Sequence, residues 1–107
     1  MKDMINRGGE KVFSTEVEDV LKSHPEVIEA AVIPNPDEIY GEQVKAIIVS
    51  NYFNDTNFEE LKQYCATKLA KFKVPEEFAL VDELPKTASG KILKHVLKEQ
   101  FTNNTIS

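Results

Sequence analysis

Two runs rich in β-branched residues, Val27–Ile33 and Val44–Ser50, stand on either side of Pro34-Asn35-Pro36-Asp37 and Tyr40-Gly41. Branched side chains suit a pleated surface, and Pro, Asn, Asp and Gly supply turns, so this stretch predicts two neighbouring antiparallel strands. The next stretch has a different period. Phe58, Leu61, Cys65 and Leu69 recur at intervals of three and four with Lys and Glu between them, which predicts an amphipathic helix over Thr56–Ala70. A chain that interleaves the two periods is expected to fold as α+β, with a small, mostly antiparallel sheet packed against amphipathic helices.

Gly8-Gly9 inside Met4–Val12 predicts a short N-terminal hairpin, because adjacent glycines accept positive φ in a tight turn. Thr15 and Glu18 have the spacing of a capping box. Val17, Val20 and Leu21 then share one helical face until Ser23-His24-Pro25 ends the helix. Pro75 introduces a short strand, Phe78–Val81, and the Pro, Thr, Ser and Gly of Pro85–Gly90 predict a loop that resists both helix and sheet. Ile92, Leu93, Val96, Leu97 and Phe101 form a last apolar stripe, which puts Lys91 at or just before a helix N-terminus and leaves Thr102–Ser107 as a frayed tail. At 107 residues the expectation is one domain, 1–107, with one core.

A net charge of −5 argues against a general nucleic-acid surface, since phosphate binding needs an excess of Lys and Arg. The charge is uneven, however: Pro85–Lys98 carries Lys86, Lys91, Lys94, Lys98 and His95 without an acid, so a basic end sits on an acidic body. Apolar stretches such as Ala46–Val49 fall far short of the roughly 20 residues of a membrane span, and Met1-Lys2-Asp3 does not open a signal peptide, so a cytoplasmic location is expected. Cys65 has no partner for an internal disulfide and belongs to the apolar face of its helix. His24 and His95 lack a suitably spaced third ligand, so they are expected at the surface and no metal site is expected.

Pro85-Lys86-Thr87-Ala88-Ser89-Gly90-Lys91-Ile92 invites comparison with a phosphate-binding P-loop. That motif needs Gly where Pro85 stands and Ser or Thr where Ile92 stands, and is rejected. What remains is a lysine on a glycine-hinged loop, a compact positive charge with three donors suited to phosphate and carboxylate oxygens brought together. On these residues alone, a ligand-binding lysine and a solvated surface lysine both stay open, and Gly8-Gly9 reads equally as a mere turn.

The same segment, through Pro85, Thr87, Gly90 and Lys91, resembles the last core motif of the adenylate-forming superfamily: acyl-CoA synthetases, aryl-CoA ligases, luciferases and peptide-synthetase adenylation domains. Lys2-Asp3-Met4-Ile5-Asn6-Arg7-Gly8-Gly9-Glu10-Lys11-Val12, followed by Thr15-Glu16-Val17-Glu18, resembles that superfamily's hinge and glycine motif. His24-Pro25-Glu26-Val27, Tyr40-Gly41-Glu42 and Lys71-Phe72-Lys73-Val74-Pro75 are similar to its connecting framework. Ser14 replaces a proline found in many relatives; Ser14 and Thr15 are expected to supply N-cap oxygens instead.

The resemblance implies the C-terminal domain of an ATP-dependent, AMP-forming ligase, silent by itself, whose large N-terminal domain would hold most of the ATP and Mg²⁺ contacts. It implies a carboxylate, ATP and CoA as substrates, with AMP released. It makes Lys91 the catalytic, nucleotide-contacting lysine and Lys11 a second nucleotide contact. Gly8 and Gly9 would give room to pantetheine, Phe72 and Lys73 are further candidates for the CoA nucleotide, and Lys2 would be the hinge. Two alternatives stay open: an aryl-acid ligase that loads a carrier protein, and a non-catalytic α+β binding module whose Lys86–Lys98 end docks an acidic partner.

Overall fold

The computed structural model describes residues 4–102. Lys2, the expected hinge, and residues 103–107 of the expected tail lie outside them. Five strands form one sheet: β1 (Met4–Arg7), β2 (Glu10–Phe13), β3 (Glu29–Asp37), β4 (Gly41–Val49) and β5 (Glu77–Leu80). Three helices, α1 (Ser14–Lys22), α2 (Phe58–Ala66) and α3 (Lys94–Thr102), pack on it, with a 3-10 turn at Lys71–Lys73.

β4 lies at the centre. β3 pairs with its whole length in antiparallel register, from Glu29↔Val49 to Asp37↔Gly41. On its other side β1 touches it at Arg7↔Gly41, and β5 runs parallel to it from Lys45↔Glu77 to Ile48↔Leu80. The expected α+β architecture and antiparallel β3–β4 pair are therefore present. The turn, however, is shorter than the prolines suggested, because β3 continues through Pro34 and Pro36 to Asp37. Those two prolines share one register side of an edge strand, where an N–H would have had no ladder partner.

The sheet is covered on both faces. Ala30, Val32, Val44, Ala46 and Ile48 join Val17 and Leu21 of α1 and Phe58, Leu61 and Cys65 of α2 in the larger core. The alternate residues Ala31, Ile33 and Ile47 join Leu84 and Leu97 in a smaller core on the opposite face, against α3. Burial on both sides explains why β3 and β4 read as unbroken apolar runs. Fully burying a side chain such as Leu97 contributes about 1.5–3 kcal/mol, so even the smaller core holds its helix substantially.

Helix boundaries depart from the sequence reading. α1 begins at Ser14 with Phe13 as N-cap and no side-chain cap, so neither the Thr15–Glu18 box nor an N-cap role for Ser14 or Thr15 is realised. Glu18 turns to β3 instead, where its Oε2 accepts from the Val32 amide at 2.9 Å. α2 is shorter than Thr56–Ala70: after Ala66 the chain turns, and Leu69 reaches the core from outside the helix. α3 starts at Lys94 and includes Thr102. His24 is half-buried rather than superficial, edge-on to Phe53 and Tyr64, with Nδ1 accepting from the Glu26 amide at 3.0 Å.

Candidate active site

Lys91 lies three residues before α3, ahead of the helix and not within it, on a loop closed by its own hydrogen bonds. Lys86 and Ile92 form an isolated antiparallel bridge, so the segment expected to resist sheet contains a small piece of it. Thr87 is the hub: its amide donates to the Lys91 carbonyl at 2.8 Å, and its carbonyl accepts from the Gly90 amide at 2.9 Å. The Thr87 hydroxyl oxygen accepts from the Lys91 amide at 3.1 Å and lies 2.9 Å from Ser89 Oγ. Gly90, at φ 93°, makes the reversal that other residues resist. Thr, Gly and Lys at this spacing thus build one turn that turns its lysine outward. Lys91 is exposed, and its ammonium has no hydrogen-bond or ion-pair partner among the described residues.

Its basic neighbours are different. Lys86 pairs with Glu29 at the start of β3. Lys94 lies 2.6 Å from Glu18 and donates to the Val32 carbonyl at 3.0 Å. The basic end read from the sequence is therefore partly neutralised from elsewhere in the chain. Composition along the chain could not reveal this, because Glu18 and Glu29 are remote in sequence.

The Gly8-Gly9 turn closes the β1–β2 hairpin with φ of 60° and 90°, the two positive angles of a type I′ turn. Gly8 N donates to the Tyr40 carbonyl at 2.7 Å, and a Cβ on Gly8 would come within 3.1 Å of the Tyr40 ring. Nothing lies within 4 Å of a Cβ on Gly9, so Gly9 is the one with open space in front of it. Arg7 braces the turn: its guanidinium sits 4.2 Å from the Tyr40 ring centroid and donates to Glu76 Oε2 through Nη2 at 2.5 Å and Nε at 3.1 Å.

Lys11 is exposed on β2. Phe72 packs against the larger core, and Lys73 is engaged with Glu16 at 3.0 Å, so these two have structural work that their sequence context did not announce. The turn and the lysine loop are held apart. The turn sits at one end of β2, while Ser14, 3.4 Å from Lys94, follows the other end. Four strand residues span about 13 Å.

Residues 16–91 match the AMP-binding enzyme C-terminal domain, well over half of the chain. This chain belongs to that family. The oxalate–CoA ligase of Saccharomyces cerevisiae is 41% identical over 105 residues, 98% of this chain and 19% of the ligase. The solved fatty acyl CoA synthetase of Mycobacterium tuberculosis superposes with a TM-score of 0.87 at 40% identity, over 95% of this chain and 20% of that one. An anthranilate CoA ligase, AuaEII, solved in complex with anthranoyl-AMP, gives 0.88 at 34% identity over 98% of this chain and 21% of that one. The chain thus spans about a fifth of the relatives it matches. Their names cover a short dicarboxylate, fatty acids and an aromatic acid, so this C-terminal domain occurs with very different acids.

Thr87, Lys94, Glu18, Arg7, Tyr40 and Glu76 shape the two loops without having been singled out as site residues. Thr87, Arg7, Glu18 and Tyr40 had a signal in their places within the family-like motifs, and Lys94 in its place within the basic run. No helix is long and apolar enough to cross a membrane among the described residues. Among them no group of three His, Cys, Asp or Glu could hold a metal ion. Glu18, the carboxylate beside the lysine loop, is committed to Val32 and Lys94. These residues do not fit a magnesium site.

Proposed function

We propose that residues 1–107 form the single C-terminal lid domain of a cytoplasmic, ATP-dependent, AMP-forming acyl- or aryl-CoA ligase, acting on a site completed by an N-terminal domain that would supply any Mg²⁺. In the first half-reaction a carboxylate oxygen attacks the α-phosphorus of ATP, the bond to the β-phosphate oxygen breaks, and pyrophosphate leaves. Lys91 lies between the two anions, offsets charge that builds in the transition state and holds the reactants in line. Lys11 adds a nucleotide contact. In the second, the CoA thiolate attacks the acyl carbonyl and AMP departs. A rotation about Lys2 would withdraw Lys91 and bring up the Gly8-Gly9 turn, with Gly9 facing the pantetheine arm. Phe72 and Lys73 would reach the CoA nucleotide only if Lys73 leaves Glu16.

The observation that carries this reading is the outward ammonium of Lys91 on a self-bonded loop whose flanking lysines, Lys86 and Lys94, are tied to carboxylates. The same pairing weakens the binding-module alternative, which needs those lysines for an acidic partner. The test joins this chain to a competent ligase N-terminal domain and follows carboxylate-dependent pyrophosphate release with short-chain, fatty and aromatic acids. Release should fall by about 10²–10³-fold in Lys91→Ala. Release independent of Lys91 would overturn the assignment, and transfer to a carrier protein but not to CoA would move the acceptor to the carrier thiol.

A further inference from the structure

Lys94 and Glu18 meet around the edge of the sheet. Glu18 projects from α1, packed in the larger core, and Lys94 opens α3, packed in the smaller core on the opposite face. Between them runs the open edge of β3 at Val32, whose side of the strand also carries Pro34 and Pro36. The Val32 amide donates to Glu18 and its carbonyl accepts from Lys94, so the ion pair satisfies both outward backbone groups of one edge residue. Ser14 Oγ completes the nest at 3.4 Å. Both charged side chains are largely buried, at 18% and 12% exposure.

The anchor lies next to the catalytic loop. Only Ile92 and Leu93 separate Lys91 from Lys94; Ile92 bridges Lys86, and the Leu93 amide donates to the Pro85 carbonyl at 2.8 Å. A shift of Lys94 therefore passes directly into the arm that carries Lys91. Glu18, Thr87, Gly90, Lys91, Lys94 and His95 border one open depression.

We propose that Lys94 and Glu18 are positioning residues for Lys91: their ion pair, seated on the Val32 edge of β3, fixes the direction in which the Thr87–Lys91 loop presents its ammonium. Resting on the ligase reading above, this adds two positioning residues to the adenylation half-reaction, neither of which touches substrate. Lys91 needs such a fixture because the loop's internal bonds set its shape but not its angle to the domain, and a misplacement of about 1 Å can cost about 100-fold in rate.

The test uses Lys94→Met, which keeps the aliphatic stem, Lys94→Arg, which keeps the charge, and Glu18→Gln. In the ligase completed by an N-terminal domain, Lys94→Met and Glu18→Gln should lower the kcat of adenylation about tenfold or more, leaving the KM for ATP within about threefold. Thioester formation from supplied acyl-adenylate should stay within about twofold, and Lys94→Arg should restore adenylation. In the 107-residue chain itself, amide exchange at Leu93, where the arm of the loop meets Pro85, should quicken about tenfold in Lys94→Met while Ile47 and Leu61 keep their protection. Unchanged exchange at Leu93, or equal loss of both half-reactions, would overturn the proposal. Should Lys94→Met fail to fold, Glu18→Gln decides by the same readings. Should Lys91→Ala leave adenylation intact, the ligase role of Lys91 falls, and amide exchange alone decides whether the pair holds the loop.

Discussion

At the Gly8-Gly9 turn one internal bond, from the Gly9 amide to Asn6 Oδ1 at 3.1 Å, is joined by bracing from outside: Tyr40 lends its carbonyl and ring, and Arg7 is clamped between that ring and Glu76. At the Thr87–Lys91 loop most of the bonding is internal, through the amide, carbonyl and hydroxyl of Thr87, and the tertiary structure grips only the two arms, at Lys86 and Lys94. Both loops use glycine for a positive φ. The difference shows two ways of holding a tight turn: one braced by a neighbouring ring and an ion pair, the other closed on itself and gripped at its arms.

That contrast can be broken by variants at each tip. The largest effect is expected from Lys91→Ala: adenylation falls by about 10²–10³-fold, while stability, measured by urea unfolding, changes by less than about 0.5 kcal/mol because the side chain is exposed. Gly9→Trp is expected to do the reverse chemistry, slowing thioester formation from acyl-adenylate about tenfold or more with pyrophosphate release nearly intact, since Gly9 faces open space. If both variants impaired the same half-reaction, the division of labour between the loops would be wrong.

Stability measurements sharpen the contrast further. Gly8→Ala is expected to cost more than Gly9→Ala in a thermal melt. Each places a side chain at positive φ, at about 1 kcal/mol, but only Gly8 also brings a Cβ to 3.1 Å from Tyr40. Thr87→Val, which removes an acceptor used within the loop, is expected to cost about 1 kcal/mol and to speed exchange of the Lys91 amide, while Glu76→Gln should leave that amide unaffected and loosen Arg7. The smallest effect is a silence: burial pushes the Cys65 thiol up to about 11, so at pH 8 it stays protonated and a thiol reagent should modify it only as the domain unfolds.

Much of the fold was legible because it depends on local pattern. The two apolar runs became β3 and β4, the glycine pair became a hairpin turn, and the Phe58–Cys65 spacing became α2. Two of the misreadings share one cause. Glu18 looked like a capping residue because its only visible partners in sequence were neighbours, and its real partners, Val32 and Lys94, are far along the chain. Pro34 and Pro36 looked like turn residues because a linear chain does not tell an edge strand from a loop.

For the candidate site, motif and spacing named Lys91, Gly8 and Gly9 and implied their chemistry through resemblance. Periodicity, turn chemistry and the lysine motif are set by residues within a few positions of one another, and these the sequence determined by itself. Which lysines are neutralised, which glycine is open and what fixes the direction of Lys91 were decided only by the tertiary structure. Those properties depend on carboxylates, carbonyls and rings brought to within a few ångströms by the packing of helices on opposite faces of the sheet.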